Sequence, residues 1–299
     1  AKEGYRMKYL TPEAAARIRA LKARSSPFRS GGTLEGRHAS AFKKGSSQEF
    51  SEYRQYTAGS DIRFLDWKVY ARRDRLFIKE FSLQNAVSFN IMLDSSASMA
   101  FRGPDADGSK WDYAARLALY LACFLMARGD YAGLTVFSGD GVSSVRPSGD
   151  PRALTEMDAM LGCVRPSGDS LPLEAFRNIA SGLKKNSAAV VFSDFMAPPG
   201  RLADFARLLA SFRGKAWAFQ ALDRAELQLP WEGFAAFRDM ETGEEITLSP
   251  SALREAHGRE FALWLKRVEK LFSLSGVGAF TAFTDAPPFV TFEKLVRIF

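Results

Sequence analysis

The chain has 299 residues, of which 46% are hydrophobic and 25% are charged, and its formal net charge is +7. This balance is typical of a folded protein with one large domain or two smaller ones, so general disorder is excluded. The longest apolar run, residues 117–127, is shorter than the roughly 20 residues of a membrane-spanning helix, and we expect no membrane span. The basic N-terminal segment lacks the apolar stretch of a secretory signal, which favours a cytoplasmic protein.

Cysteine and histidine are scarce, which argues against several kinds of metal site and catalytic site. The chain has two residues of each type. Two cysteines cannot form a zinc ribbon or a disulfide framework, which fits a reducing compartment. His38 and His257 are too few for a histidine-based metal cluster, and they weaken any proposal of a Ser–His catalytic pair.

Residues 1–85 are predicted to form a basic N-terminal extension. Residues 11–24 indicate a helix, residues 25–45 are rich in Gly, Ser and basic side chains and indicate a loop, and the aromatic residues 50–86 are expected to pack on the domain that comes after them. Residues 1–86 hold 18 basic and 9 acidic side chains, so the whole positive excess lies there. Such a surface is either a solvated face or a contact for nucleic acid, an anionic membrane surface or an acidic protein.

From residue 86 onward, apolar strands alternate with helices. Strands are predicted at residues 87–93, 134–137, 143–146, 188–193, 216–222 and 279–283. Helices are predicted at residues 110–127, 151–162, 172–185, 201–212, 251–274 and 290–298. A small hairpin near residues 234–248 interrupts the pattern. This alternation predicts an α/β fold in which residues 86–299 form a doubly wound, mostly parallel, Rossmann-type sheet.

Two predicted strands deliver a carboxylate at their C-terminal ends. Asp94 follows the first strand and Asp194 follows the strand at residues 188–193. Ligands of such sheets bind beyond the carboxyl ends of the strands, so both side chains are expected at the binding edge. Ser96 and Ser98 come directly after Asp94, and carboxylates with hydroxyls are hard oxygen ligands that suit Mg²⁺.

The D-x-S-x-S spacing after an apolar strand resembles the metal-ion-dependent adhesion site of von Willebrand factor A domains. The resemblance implies that Ser96 and Ser98 bind the metal directly, while Asp94 and Asp194 hold it directly or through water. The ion would be Mg²⁺, with Mn²⁺ or Ca²⁺ as alternatives. Without a metal, the same residues would form a cluster of loop hydrogen bonds.

In that family, a Thr from a later loop completes the metal site. The matching loop in this chain, residues 165–172, reads RPSGDSLP and contains no Thr. We expect Ser170 to replace this Thr, with Ser167 as the alternative. Asp169 could instead enter the site as a third carboxylate and raise its negative charge.

The N-terminal third resembles the signature block of the domain of unknown function 58 family. The matching segments are residues 36–40 (GRHAS), 49–56 (EFSEYRQY) and 59–68 (GSDIRFLDWK), and residues 239–244 (DMETGE) resemble a later part of the family. Seven residues of this block are expected either to hold the segment against the von Willebrand A-like domain or to bind a partner: Arg37, His38, Arg54, Asp61, Arg63, Asp66 and Trp67. Alternating charges among aromatic residues suit paired Arg and carboxylate groups.

These observations favour a metal-dependent protein-binding module that is not an enzyme. The resemblance implies an adaptor that works with an AAA+ ATPase of the MoxR type in the assembly or maturation of client complexes, with Mg²⁺ capturing a carboxylate of the partner. Two alternatives remain open. One is binding of nucleic acid or an anionic surface through the basic N-terminal region, and the other is metal-assisted hydrolysis.

Overall fold

The computed structural model describes residues 7–22, 48–56, 65–67, 69–70, 75–83, 86–138, 141–170, 173–181, 187–212 and 215–297. Its helices are α1 (Pro12–Lys22), α2 (Lys110–Ala127), α3 (Arg152–Cys163), α4 (Leu173–Ser181), α5 (Pro199–Ala210), α6 (Arg224–Gln228), α7 (Pro250–Leu274) and α8 (Pro288–Leu295). Its strands are β1 (Gln48–Gln55), β2 (Phe77–Leu83), β3 (Ser88–Asp94), β4 (Tyr131–Ser138), β5 (Gly141–Ser148), β6 (Ser187–Ser193), β7 (Ala216–Leu222), β8 (Ala235–Arg238), β9 (Glu245–Leu248) and β10 (Gly278–Phe283). A short 3₁₀ helix spans Ala97–Ala100.

The described residues fall into two units. In the smaller unit, strand β1 pairs antiparallel with β2. The larger unit contains residues 87–297 together with α1 and the residues just before it. The predicted division at residue 85 therefore differs from the observed one, in which α1 belongs with the larger unit.

Helix α1 is part of the larger unit because its apolar side is buried there. Ile18 is fully buried and Tyr9, just before the helix, is almost fully buried. The Asp158 carboxylate on α3 accepts the backbone N–H of Lys8 at 2.8 Å and that of Tyr9 at 2.7 Å. A buried carboxylate that pairs with two backbone donors fixes the segment before α1 on the domain.

The larger unit is built on a six-stranded sheet with the order β10-β7-β6-β3-β4-β5. All neighbouring strands pair in parallel except β5, which is antiparallel to β4 at the edge. Numbered along the chain, this is the doubly wound order 3-2-1-4-5-6. The predicted fold class, an α/β domain with a mostly parallel sheet, is confirmed.

Helices cover both faces of the sheet because the inner strands alternate buried side chains between two cores. Phe89, Ile91 and Leu93 of β3 enter one core with α1, α2, α3 and α8. Met92 enters the other core with α4, α5 and α7. A parallel sheet that is buried on both faces in this way requires nearly continuous apolar strands. Among the described helices, none combines the length and apolar character that a membrane span needs.

The chain reverses its direction of winding next to β3. From β3 it proceeds through β4 to the edge strand β5, and then crosses over to β6 on the other side of β3. The loops after β3 and β6 therefore leave the sheet in opposite directions and open a crevice at its carboxyl edge. Asp94 and Asp194 lie at the two sides of this crevice.

Strands β8 and β9 form the predicted small hairpin outside the main sheet. The two strands pair antiparallel, from Ala235 opposite Leu248 to Arg238 opposite Glu245. Asp239 holds the turn, because its Oδ1 accepts the backbone N–H groups of Glu241 and Thr242, each at 2.8 Å. The turn thus presents the side chain of Glu241 in a fixed place.

Candidate functional site

Asp94 is the centre of a buried cluster of hydrogen bonds at the carboxyl edge. Its side chain is fully buried at the end of β3. Asp94 Oδ1 accepts the backbone N–H of Ser96 at 2.9 Å. Asp94 Oδ2 accepts the hydroxyls of Ser193 at 2.7 Å and Ser170 at 2.9 Å. Three donors, from the loop after β3, the loop that carries Ser170 and the end of β6, are thereby brought to one carboxylate.

The loop after β3 is held in place by the loop that carries Ser170. The backbone N–H of Ser167 donates to the carbonyl of Ser95 at 2.8 Å, and that of Ala97 donates to the carbonyl of Gly168 at 3.0 Å. These two bonds fasten the two loops to each other where the 3₁₀ helix begins.

Two serine hydroxyls after Asp94 face one another at the opening of the site. Ser96 Oγ and Ser98 Oγ are 3.2 Å apart. Ser96 is fully buried, whereas Ser98 is partly exposed and lines a large cavity. The donor set is therefore enclosed on the Asp94 side and accessible on the Ser98 side.

Asp194 is the second buried carboxylate of the site. Its Oδ2 accepts the Lys110 ammonium at 2.7 Å and its Oδ1 accepts the backbone N–H of Met196 at 3.0 Å. The next residue, Phe195, has a φ of 57°, a conformation that bulky side chains rarely adopt. Its ring is packed 4.9 Å from that of Phe272, which holds this strained turn in place.

Lys110, at the start of α2, lies between two acids. Its side chain is fully buried, and its ammonium contacts Asp194 at 2.7 Å and Glu226 at 2.5 Å. Burial would lower the pKa of Lys110, but the attraction of the two carboxylates outweighs it and the pKa is raised. Burial acts oppositely on Asp194, yet the Lys110 charge keeps the pKa of Asp194 below its ordinary value. Both groups are therefore charged at neutral pH.

The environment of Asp94 disfavours its charge. Burial, followed by repulsion from Asp194, raises the pKa of Asp94 to about 6, although three hydrogen-bond donors act in the opposite direction. An acid with a raised pKa at the crevice of an α/β sheet is a candidate functional group. A positive charge close to Asp94 would therefore stabilise its ionised form.

Glu241 adds another carboxylate from the hairpin turn. Its Oε1 atom is buried without a hydrogen-bond partner. Burial, followed by repulsion from Asp194, Asp169 and Asp94, raises the pKa of Glu241 to about 7. Glu241 and Ser98 line the same cavity, which has a volume of about 940 Å³.

The donor set fits a hard divalent cation. Within the described part of the chain, no three His, Cys, Asp or Glu side chains surround a common point. The set instead combines two carboxylates with serine hydroxyls, all of them oxygen donors, as Mg²⁺ prefers. The orphaned Glu241 Oε1 and the raised pKa of Asp94 indicate a surplus of negative charge in this place.

Five predicted site residues come together in the structure, namely Asp94, Ser96, Ser98, Asp194 and Ser170. Asp169 remains outside the cluster, with a side chain that is 66% exposed and 3.8 Å from Arg201. Ser167 contributes its backbone N–H to the loop contact described above.

Of the predicted signature residues, Arg37, His38, Asp61 and Arg63 lie outside the described residues, and Arg54 is described only as part of β1. Asp66 is buried in the smaller unit, where its Oδ1 accepts the Val69 N–H at 3.3 Å. Trp67 is 66% exposed and its ring contacts that of Tyr70 edge-on. Bracing or partner binding by these residues stays a prediction.

Sequence reasoning missed four polar residues of the network, namely Lys110, Ser193, Asp223 and Glu226. Asp223 follows β7 as Asp194 follows β6, so the pattern of an acid after an apolar strand could have revealed it. It accepts the Gly103 N–H at 2.9 Å and the Thr284 hydroxyl at 2.7 Å. The sequence did not indicate a role for Lys110 in the site, because a lysine at the start of a helix is normally exposed.

The fold defines a doubly wound α/β domain with a mostly parallel six-stranded sheet. The chain belongs to the family described as Protein of unknown function DUF58, whose model matches residues 52–263. The family resemblance stated from the sequence is thereby confirmed.

Relatives of the chain include uncharacterized proteins of Mycobacterium tuberculosis (strain H37Rv) and Mycobacterium bovis. Each is 26% identical over 278 residues, which cover 90% of this chain and 83% of the relative. A similar solved structure is BatB from Bacteroides thetaiotaomicron, with 18% identity, a TM-score of 0.46, and coverage of 71% of this chain and 98% of BatB. Another is the VWA domain of SpRpn10, with 9% identity, a TM-score of 0.41, and coverage of 70% and 95%.

Proposed function

We propose that the chain is a metal-dependent protein-binding module without catalytic activity. In this proposal, Mg²⁺ lies at the ends of β3 and β6 and captures a carboxylate of a partner protein. The observation that carries it is the convergence of Ser96, Ser170 and Ser193 on the buried Asp94 carboxylate, next to Asp194. Mn²⁺ and Ca²⁺ are the alternative ions, since they also accept oxygen donors.

Each residue of the cluster has a separate task in this proposal. Ser96 and Ser98 would hold the ion directly, and Asp94 and Asp194 would hold it directly or through water. Ser170 would position Asp94 or join the ligands, and Lys110 keeps Asp194 ionised. The bound ion would supply a positive charge with an open position, to which an acidic side chain of the partner can bind.

The partner is proposed to be a MoxR-type AAA+ ATPase or one of its clients. This part of the proposal is supported by the family resemblance alone. It is tested by titrating the purified ATPase into the full chain with Mg²⁺ and with EDTA. Binding that requires Mg²⁺ and is lost in Asp94→Ala supports an adaptor role, whereas equal binding in EDTA contradicts it.

The metal site itself is tested by calorimetric titration of the metal-free protein with Mg²⁺ and Mn²⁺. Saturable binding is expected for the native chain and is expected to be lost in Asp94→Ala and Ser98→Ala. Ser95→Ala is the matched control, because the Ser95 hydroxyl donates to the Phe137 carbonyl at 3.2 Å and is not part of the donor set. Absence of binding in the native chain would contradict the proposal.

Metal-assisted hydrolysis is the second candidate, and one observation favours it. Glu241 shares the cavity with Ser98, and its pKa of about 7 suits a general base that activates water. This candidate predicts Mg²⁺-dependent turnover of a phosphate ester such as p-nitrophenyl phosphate, lost in both Asp94→Ala and Glu241→Gln. A binding module predicts no turnover.

A further inference from the structure

The hairpin turn brings an acid toward a site that is already acidic. Asp239 fixes the turn through its bonds to the backbone of Glu241 and Thr242, and Gly243 has a φ of 77°, which favours glycine. The backbone N–H of Gly243 also donates to the Asp239 carbonyl at 2.9 Å. The hydrogen bonds of the turn therefore fix the backbone position of Glu241.

The surroundings of Glu241 make this position costly without a cation. Asp94, Asp169 and Asp194 are close enough to repel its carboxylate, and no group hydrogen-bonds to its buried Oε1. Like charges that converge in a partly buried place destabilise one another. A divalent cation beside Ser98 would reverse the sign of this interaction and attract the Glu241 carboxylate.

We propose that Glu241 serves as a carboxylate ligand from within the chain, which occupies the open position of the bound cation until an acidic side chain of a partner displaces it. This inference rests on the proposed function. The β8–β9 hairpin would then act as an internal plug, because its Glu241 competes with the acidic side chain of the partner for the open position of the cation. The neighbouring Glu244 is exposed and has no such role, although it lines the same cavity.

The hairpin also connects the plug to an apolar surface. The same cavity is lined by Phe101, Met196, Trp231, Phe237 and Trp264. The Trp231 ring contacts that of Phe237 on β8, edge-on at 5.6 Å. A partner whose acidic side chain displaces Glu241 could therefore place an apolar side chain against these residues of the same cavity.

The experiment measures Mn²⁺ binding and the water-proton relaxivity of bound Mn²⁺ in the full chain. In Glu241→Gln, the affinity is expected to fall about tenfold or more, and the relaxivity is expected to rise because water replaces the carboxylate. Glu241→Ala should behave in the same way. Glu244→Gln is the matched control and should equal the native chain.

Acetate provides the second measurement, since it is the simplest mimic of a partner carboxylate. It should lower the relaxivity of Mn²⁺ bound to Glu241→Gln at a concentration at least tenfold below that needed for the native chain. If Mn²⁺ binding is lost in Asp94→Ala but Glu241→Gln matches Glu244→Gln in affinity, relaxivity and acetate response, the plug is refuted and the proposed function stands. If the native chain binds no Mn²⁺, both are refuted.

Discussion

The ammonium of Lys110 lies 2.7 Å from Asp194 Oδ2, and both side chains are completely buried. The same ammonium contacts Glu226 at 2.5 Å, and Glu226 Oε2 in turn accepts the backbone N–H of Asp223 at 2.9 Å. Lys110 thus connects Asp194, which follows β6, through Glu226 to the backbone of Asp223, which follows β7. Asp194 is held through both oxygens, because Oδ2 accepts the Lys110 ammonium and Oδ1 accepts the backbone N–H of Met196.

Replacing Lys110 with Met is expected to destabilise the chain by about 3–5 kcal/mol, because two buried carboxylates lose their counter-ion. Urea unfolding at pH 7.5 measures this loss. Lys266→Met, at an exposed position of α7, is the control and should change stability by less than about 0.5 kcal/mol. The double variant with Glu226→Gln should recover part of the loss. A loss below about 1 kcal/mol in Lys110→Met would contradict the assigned pairing.

The stability of the metal-free protein is expected to fall as the pH rises from about 4 to about 6. The pKa of Asp94 is about 6 in the fold against 3.8 in an unfolded chain, so the native state retains a proton that the unfolded state releases in this range. The resulting penalty is fully present above pH 6 and amounts to at most about 3 kcal/mol.

Asp94→Asn should remove the share of this pH dependence that Asp94 contributes, leave the share of Glu241, whose pKa is raised to about 7, and make the metal-free protein more stable than the native chain at pH 7.5. Urea unfolding in EDTA at several pH values checks both expectations. Ser95→Ala is the control and should keep the native pH profile. An unchanged slope in Asp94→Asn would show that another group is responsible.

The affinity for Mg²⁺ is expected to weaken below pH 6 by about tenfold per pH unit, because the metal competes with one proton on Asp94. Between pH 6 and about pH 8 the remaining rise in affinity should come from Glu241, whose pKa is about 7, and the affinity should level off once both acids are ionised. Calorimetric titrations from pH 5 to pH 8 in buffers of different ionisation enthalpy check this and count the protons released. A flat profile across pH 6 would contradict Asp94 as a ligand.

Gly103→Ala is expected to destabilise the chain by about 1–3 kcal/mol. A Cβ at this position would lie 2.1 Å from Asp223 Oδ1, so the carboxylate that accepts the Gly103 N–H would have to move. Thermal unfolding measures the effect. Gly200→Ala is the control, because nothing lies within 4 Å of its added Cβ and the position is helical. Equal melting temperatures for the two variants would contradict the close packing of Gly103 on Asp223.

Much of the fold could be predicted because its signals are local. Helix α2 and strand β7 have the bounds that the apolar pattern predicts, residues 110–127 and 216–222. Strand β6 begins one residue earlier than predicted. The short helix α6 was not predicted, since five residues carry too little periodicity. Its start depends on Asp223 and Glu226, which pair in a capping box.

The sequence by itself determined the alternation of strands and helices, the acids at the ends of β3 and β6, and the serines that follow Asp94. These features depend on neighbouring residues and on the two-residue and 3.6-residue periods of strand and helix. Only the tertiary structure decided that Lys110 is the counter-ion of Asp194 and that Glu241 turns toward the same crevice. Such pairs join residues far apart in the chain, as Lys110 and Asp194 are 84 positions apart, and no local pattern encodes them.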